Sequence, residues 1–426
     1  MTFVFPSVNG TVKPKERSGH VAVHYDGYIV VWGGYSRNEP EQAFPGVYFL
    51  TDDYNPNEEV WLFCIETSRW YCIETSGEVP PPTSGSSACV VGNSMYIFAG
   101  HRNDGPSSTV YVLNLRTFKW KDLTNQIKGN PPSERDKLSC WTHRDSIVYF
   151  GGYGTAPDPT AVDQFNGYFT LNTNSEEEYL PATRGWNNHL YLLDTNDLTW
   201  SQPKTKGRAP TPRAAQAAAK LGNVAYIFGG RHMEQRWNDL HSLNLDFFEW
   251  SDRIGTTGSV PQGRTWHTLS AVSDRHLFLY GGFSNEEDAL GDSYILDTST
   301  MMWFQLQVPS FQSVPMTRMW HTACRTTVPG EVVIYGGCTS SVLGEEPGHT
   351  SSVLIFRFTP QPLNRLCADA VVKYYSSLQK QLATLPKNIL KSLFLNRRLQ
   401  EFKKEACCTN YPGQSSVSHI GRFTWR

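Results

Sequence analysis

An apolar strand ending in two small residues occurs six times in this chain: VVWGGY (30–35), YIFAGH (96–101), VYFGGY (148–153), YIFGGR (226–231), LFLYGGF (277–283) and VVIYGGC (332–338). A matching segment precedes each one: ERSGHVAV, PTSGSSACV, ERDKLSCW, TPRAAQAA, GRTWHTL and TRMWHTA. After the first five, a further strand carries Trp70, Trp120, Trp200, Trp250 or Trp303. Self-similarity at a period near 50 residues constrains architecture more than any single motif, because one such unit cannot bury its apolar faces alone. Each unit reads as four strands, a to d, with the glycines ending b and the Trp on d.

From the second glycine to the Trp the chain runs Gly100 to Trp120, Gly230 to Trp250 and Gly282 to Trp303, but Gly34 to Trp70 and Gly152 to Trp200. The first and third units therefore carry insertions between b and c. Units of this kind resemble kelch repeats, four-stranded blades arranged around an axis. The resemblance covers residues 17 to about 358 and predicts an all-β, six-bladed kelch β-propeller within residues 1–360. Ala99 replaces a glycine in the second unit, a change the fold is expected to absorb. The sixth unit lacks a Trp strand, and residues 2–8 (TFVFPSV) are placed to supply its outer strand and so close the ring's open edge.

After residue 360 the period changes. Leu363, Cys367, Val371, Tyr374, Leu378 and Leu382 make a helical stripe. Pro386 suits a first helical position, and a second helix is expected through Ile389, Leu390, Leu393 and Leu395. A short α-helical arm over 361–404 and a flexible tail over 405–426 follow from this reading.

Composition excludes several classes. Hydrophobic residues make up 39% and charged residues 18%, with a formal net charge of −2; no global basic field points to nucleic acid or a membrane surface. No apolar run approaches the roughly 20 residues that span a bilayer. Nine cysteines, an odd number without a zinc-like spacing, point to a reduced compartment, nucleus or cytoplasm. No GxSxG, P-loop or HExxH pattern is present, so catalytic residues, metal ligands and cofactors are not expected. His20, His267 and His321 recur at one repeat position, which argues for structural hydrogen bonding.

In an antiparallel blade the d–a and b–c connections emerge on one face, where both long insertions also lie. Binding function is expected on these loops. Residues following the small pairs are Tyr35, His101, Tyr153, Arg231, Phe283 and Cys338. Arg231 and Arg236, with Arg264, Thr265 and Trp266 before the next strand a, Lys137 in the third unit and Trp186 after its insertion, suggest a cationic pocket walled by aromatics. Such a pocket suits a carboxylate approached by a slender chain, since guanidinium forks match carboxylate oxygens.

The tail adds a second signal. PLNRLCADAV fits the elongin-C-binding box of cullin-ligase receptors at Leu363, Cys367 and Val371, and LPKNIL resembles the cullin box at Leu385 and Pro386, in its cullin-2 form because Asn388 stands where the cullin-5 form prefers a second proline. Together with RSGHVAV, FGGR…NDLH, RGWN and WHTAC, these boxes make the chain similar to the kelch domain-containing substrate receptors of cullin-2 ligases that read C-terminal glycine degrons. The resemblance implies that Arg231, Arg236 and Thr265 hold the substrate's terminal carboxylate. It implies that Lys137, Tyr153, Trp186 and Trp266 wall the pocket, with Trp320 and Leu343 as further wall residues. The implied partners are elongin B/C, cullin-2 with its RING subunit, and proteins ending in Gly-Gly or similar small residues. The alternative is a kelch interaction adaptor without ligase function, in which the tail merely packs.

Overall fold

A computed structural model describes residues 2–4, 12–37, 41–44, 47–49, 52–157, 169–172, 184–307, 315–341, 348–360, 363, 366, 367, 421 and 422. The fold is an all-β propeller. The repeats become antiparallel sheets with strands in chain order from the axis outwards. The first blade comprises Val21–Tyr25, Tyr28–Trp32, Glu59–Cys64 and Arg69–Glu74. The second is built on Ser87–Val91, Ser94–Arg102, Gly105–Asn114 and Lys119–Asp122. The third uses Ser139–His143, Ser146–Phe150, Leu190–Asp194 and Thr199–Ser201. The fourth uses Ala217–Leu221, Val224–Phe228, Leu240–Asn244 and Glu249–Trp250. The fifth uses Thr268–Ala271, His276–Ser284, Ala289–Asp297 and Met302–Leu306.

A further sheet contains Thr322–Arg325, Glu331–Tyr335 and Val353–Arg357. The N-terminal strand Thr2–Val4 pairs antiparallel with its outer edge, Phe3 opposite Phe356. Gly421–Arg422 pairs in turn with Thr2–Phe3, so part of the stretch read from sequence as a flexible tail adds to this edge. Of the expected helical arm, Leu363, Leu366 and Cys367 have helical backbone. The rest of 361–404, including Val371, Leu385 and Pro386, lies outside the described residues.

The seams between sheets explain the tryptophans. Each outer-strand Trp packs on the aromatic ring that precedes the small pair of the preceding sheet: Trp120 on Trp32 at 5.4 Å, Trp200 on Phe98 at 5.1 Å, Trp250 on Phe150 at 4.9 Å and Trp303 on Phe228 at 5.2 Å. Trp70 of the first blade packs on Tyr335 of the last sheet at 4.8 Å. The last sheet has no Trp, and there Phe356 takes the place, 5.1 Å from Tyr280. Large rings wedged at the outer radius fill the space that opens as the sheets diverge.

At the axis the glycine pairs do what their lack of a side chain permits. Gly34 has φ +82, and a Cβ there would lie 2.6 Å from the Ser18 carbonyl. Ala99 holds the left-handed φ of +65, so the departure in the second unit is absorbed at the cost of local strain.

Beneath the rim, five repeats place an arginine two residues before the left-handed turn. Arg17, Arg135, Arg213 and Arg264 each donate to the carbonyl of the first glycine of their own pair, at 2.9–3.3 Å. The fifth, Arg318, donates to the carbonyls of Pro315 and Thr317. Beside them sit buried histidines. Burial, followed by the adjacent Arg135 and Arg318, pushes His189 and His321 down to about 3, and burial with Arg17 and Arg264 holds His20 and His267 well below the ordinary range. Of the three histidines expected to bond structurally, His20 and His321 meet the hydroxyls of Thr322 (2.8 Å) and Thr268 (2.9 Å), whereas His267 packs its ring edge-on to Phe228 at 5.6 Å.

A neutral buried histidine gives pH dependence of definite sign. Its folded pKa lies below its unfolded one, so the unfolded chain binds more protons between about pH 6.5 and 3, and stability falls as pH falls through that window. At pH 5 each histidine held near 3 removes about 2 kcal/mol. Thermal melts should therefore drop steeply from pH 7.5 to 5, and His321→Gln should flatten that drop; equal slopes for wild type and variant would contradict the assignment.

Candidate functional site

The rim is built by one hydrogen-bond rule used six times. The residue after each small pair bridges to the segment before an inner strand: Tyr35 to Ser18, His101 to Ser84, Tyr153 to Asp136, Arg231 to Ala214, Phe283 to Thr265 and Cys338 to Met319. The next residue in each of those segments is left-handed: Gly19, Gly85, Lys137, Ala215, Trp266 and Trp320 have φ between +54 and +66. Their backbones form a closed circuit. Gly85 N–H donates to Gly19, Lys137 to Gly85, Ala215 to Lys137, Trp266 to Ala215, Trp320 to Trp266 and Gly19 to Trp320, at 2.8–3.1 Å. The circuit over-determines a conformation that would otherwise cost about 1 kcal/mol or more at each non-glycine position. It also delivers three of the sequence candidates, Lys137, Trp266 and Trp320, to one mouth on the axis.

Their side chains meet. Trp266 stacks on Trp320 with ring centroids 5.0 Å apart and planes 14° apart. Lys137 lies over the Trp320 ring, its Nζ 5.5 Å from the centroid. The wall needs Gly19 to be small, since a Cβ there would sit 3.2 Å from the Trp320 ring. Lys137 also binds the buried Asp136 carboxylate, so that acid is neutralised within the rim.

The arginines come from a two-stranded hairpin. Arg231–His232 pairs with Gln235–Arg236, and Arg231 stands directly opposite Arg236. Directly opposed residues of an antiparallel pair project to one face, and like charges there repel. The two differ in environment. Arg236 is 7% exposed, and its guanidinium lies over Phe283 at 4.7 Å. Its peptide is clamped by Asn285, which accepts from Arg236 N–H at 2.8 Å and donates to its carbonyl at 2.9 Å. Burial first, then the charge of Arg231, lowers the Arg236 pKa. Arg231 is half-exposed; it donates to the Met233 carbonyl at 2.6 Å and reaches the exposed Glu234 at 3.3 Å. An exposed pair of that kind contributes about 1 kcal/mol or less, so a ligand carboxylate can displace it.

Thr265 is 2% exposed, and its hydroxyl has no partner among the described residues; Arg236 Nε and Trp266 Nε1 share that condition. Each of these atoms is left for a ligand or water to complete, since burying it unpaired costs about 1–3 kcal/mol. Phe283 joins the parts, contacting Arg236 and, at 5.8 Å, Trp266. Tyr153 and Trp186 form a second aromatic pair 5.2 Å apart, and Trp186 lies 5.8 Å from His232 on the arginine hairpin.

The structure thus groups Arg231, Arg236, Thr265, Trp266, Trp320 and Lys137 through direct contacts and backbone bonds, with Tyr153 and Trp186 on the flank. Leu343 lies outside the described residues. Arg264, also read from sequence as a rim cation, points inward: it is fully buried and forks onto Asp292 at 2.6 and 2.9 Å. Asn285 and His232 were not singled out by sequence; Phe283 was identifiable, since it occupies the same position after its glycine pair as Arg231. Among the described residues no group of three or more His, Cys, Asp or Glu side chains is arranged to hold a metal.

This arrangement can be set beside known proteins. The KLHDC2/KLHL20/DRC7 Kelch-repeats domain model matches residues 44–187 and 181–337. The chain belongs to this kelch-repeat family. Kelch domain-containing protein 2 of Bos taurus is 40% identical over 89% of this chain and 90% of its own length. Kelch domain-containing protein 1 of Mus musculus is 37% identical over 94% and 97%. Kelch domain-containing protein 3 of Rattus norvegicus is 30% identical over 69% of each. The structure of YjhT superposes with a TM-score of 0.55 over 80% of this chain at 15% identity, a likeness of fold alone. Within the kelch-repeat family, then, this chain devotes one rim of its propeller to opposed arginines, a buried hydroxyl and stacked indoles.

Proposed function

We propose that this kelch protein is the substrate-recognition subunit of a ubiquitin ligase, acting in the nucleus or cytoplasm. In this reading the rim captures the C-terminal carboxylate of proteins ending in Gly-Gly or similar small residues. The observation that carries it is the register of Arg231 opposite Arg236 on their hairpin, joined through Phe283 to Thr265 with its unpartnered hydroxyl. Two opposed cations repel, and an anion between them turns that repulsion into two charge-assisted forks. The stacked Trp266 and Trp320 would line the approach and leave little room for side chains on the last residues. The proposed ring has six blades, the sixth closed by Thr2–Val4.

The helical arm would dock elongin C through Leu363, Cys367 and Val371, and cullin-2 with its RING subunit through Leu385 and Pro386. Leu363 is 75% exposed, Leu366 is exposed as well, and Cys367 beside them is also exposed; apolar side chains on a helix in solvent favour a partner's groove over packing against the propeller. The chain itself makes and breaks no bond in this scheme.

Two measurements test the reading. A labelled peptide ending in Gly-Gly should bind as the free acid and lose at least about 10-fold in affinity as the amide, since each charge-assisted bond contributes about 1.5–3 kcal/mol; equal affinities would remove the carboxylate assignment. Leu363→Glu should abolish co-purification with elongin B/C while the melting temperature stays unchanged; retained binding would leave an interaction adaptor with no ligase role.

A further inference from the structure

Away from the rim, two thiols meet across a seam. Cys89 lies on the inner strand Ser87–Val91 of the second blade and Cys140 on the inner strand Ser139–His143 of the third. Their Sγ atoms are 3.0 Å apart although the residues are 51 apart in sequence, about 1 Å longer than a disulfide bond. Cys140 also contacts the Ala88 carbonyl at 3.4 Å, and both cysteines are free and partly exposed. Lys220, on the neighbouring inner strand, is fixed to the Thr142 carbonyl at 2.6 Å and carries its charge near the pair. The same two segments begin at the bond from Lys137 N–H to the Gly85 carbonyl, so a link here would lie a few residues below the axial circuit.

We propose that Cys89 and Cys140 are a redox pair, oxidised by a hydroperoxide to a disulfide that joins the inner strands of the second and third blades. In the first step one sulfur, as thiolate, attacks a peroxide oxygen; the O–O bond breaks, leaving a sulfenic acid and, with hydrogen peroxide, water. In the second step the other thiol attacks that sulfur, forming S–S and releasing a second water. Two thiols and one hydrogen peroxide thus give one disulfide and two waters; the sulfurs lose two electrons and the peroxide gains them. A thiol reductant reverses the link by exchange. The mutual hydrogen bond and burial push the Cys89 thiol up, so the attacking thiolate is scarce at neutral pH and the link forms slowly, under sustained peroxide.

The test uses the full chain, reduced and then exposed to hydrogen peroxide. Free thiols are blocked by alkylation and the digest is mapped by mass. The expected product is a peptide joining Cys89 to Cys140, about 2 Da lighter than the two thiol peptides, absent in Cys89→Ser and restored to thiols by dithiothreitol. Its formation should raise the melting temperature by at least about 2 °C in wild type and not in Cys89→Ser. The exposed Cys72 and Cys367 serve as internal controls. Alkylated Cys89 and Cys140 in a sample whose Cys72 and Cys367 are oxidised would overturn the proposal, as would sulfinic acid at either position without a cross-link. The wild-type map decides the matter even if the serine variant folds poorly.

Discussion

Arg236→Ala is expected to weaken binding of a Gly-Gly free-acid peptide by about 10- to 100-fold, the loss of one charge-assisted fork at roughly 1.5–3 kcal/mol. The effect should exceed that of Arg231→Ala. Arg236 is buried over Phe283 and clamped at its peptide by Asn285, so it pays little ordering entropy on binding, whereas Arg231 must first leave Glu234. Arg236→Lys should recover only part of the loss, because an ammonium cannot match both carboxylate oxygens. Isothermal titration with acid and amide peptides reads all three variants, and circular dichroism checks their fold. Affinity for the acid unchanged in both alanine variants would place the ligand elsewhere on the propeller.

The second large effect concerns stability. Asp239→Ala should destabilise the protein by about 3–5 kcal/mol. Asp239 accepts both prongs of Arg213, at 2.7 and 2.8 Å, and a bond from His241 at 3.0 Å. Burial alone would raise the Asp239 carboxyl, yet the Arg213 and His241 bonds hold it well below the ordinary carboxylate range. Removing it leaves Arg213, whose side chain is 1% exposed, without a counter-charge. Asp239→Ala together with Arg213→Met should recover much of the loss, since an apolar pair of similar volume replaces a buried ion pair at little cost. Urea unfolding of both variants gives the comparison; a single variant as stable as wild type would show that the pair contributes nothing net.

These two predictions separate arginines that look alike in sequence. Arg231 and Arg236 follow a glycine pair, whereas Arg213 and Arg264 precede an inner strand. All four lie near the same rim by topology. Only the packed structure gives Arg264 the Asp292 carboxylate and turns it inward, and only there does Arg236 settle on Phe283. The partner of a charged side chain is chosen by long-range packing, and Asp292 lies 28 residues from Arg264 in the chain.

What the sequence determined by itself was periodic. The all-β kelch architecture, the glycine pairs at the axis, the tryptophans in the core and the shared rim of b–c and d–a loops all follow from repetition, because each repeat meets the same neighbours at the same radius. The aperiodic features were decided by tertiary structure. The axial circuit required four non-glycine residues to take left-handed φ, which no local preference of Lys137, Ala215, Trp266 or Trp320 would indicate. The stacking of Trp266 on Trp320, the facing of Arg231 and Arg236 and the meeting of Cys89 with Cys140 are likewise contacts between particular side chains. Their geometry depends on how the blades close around the axis, and a linear pattern carries period and polarity but not distance.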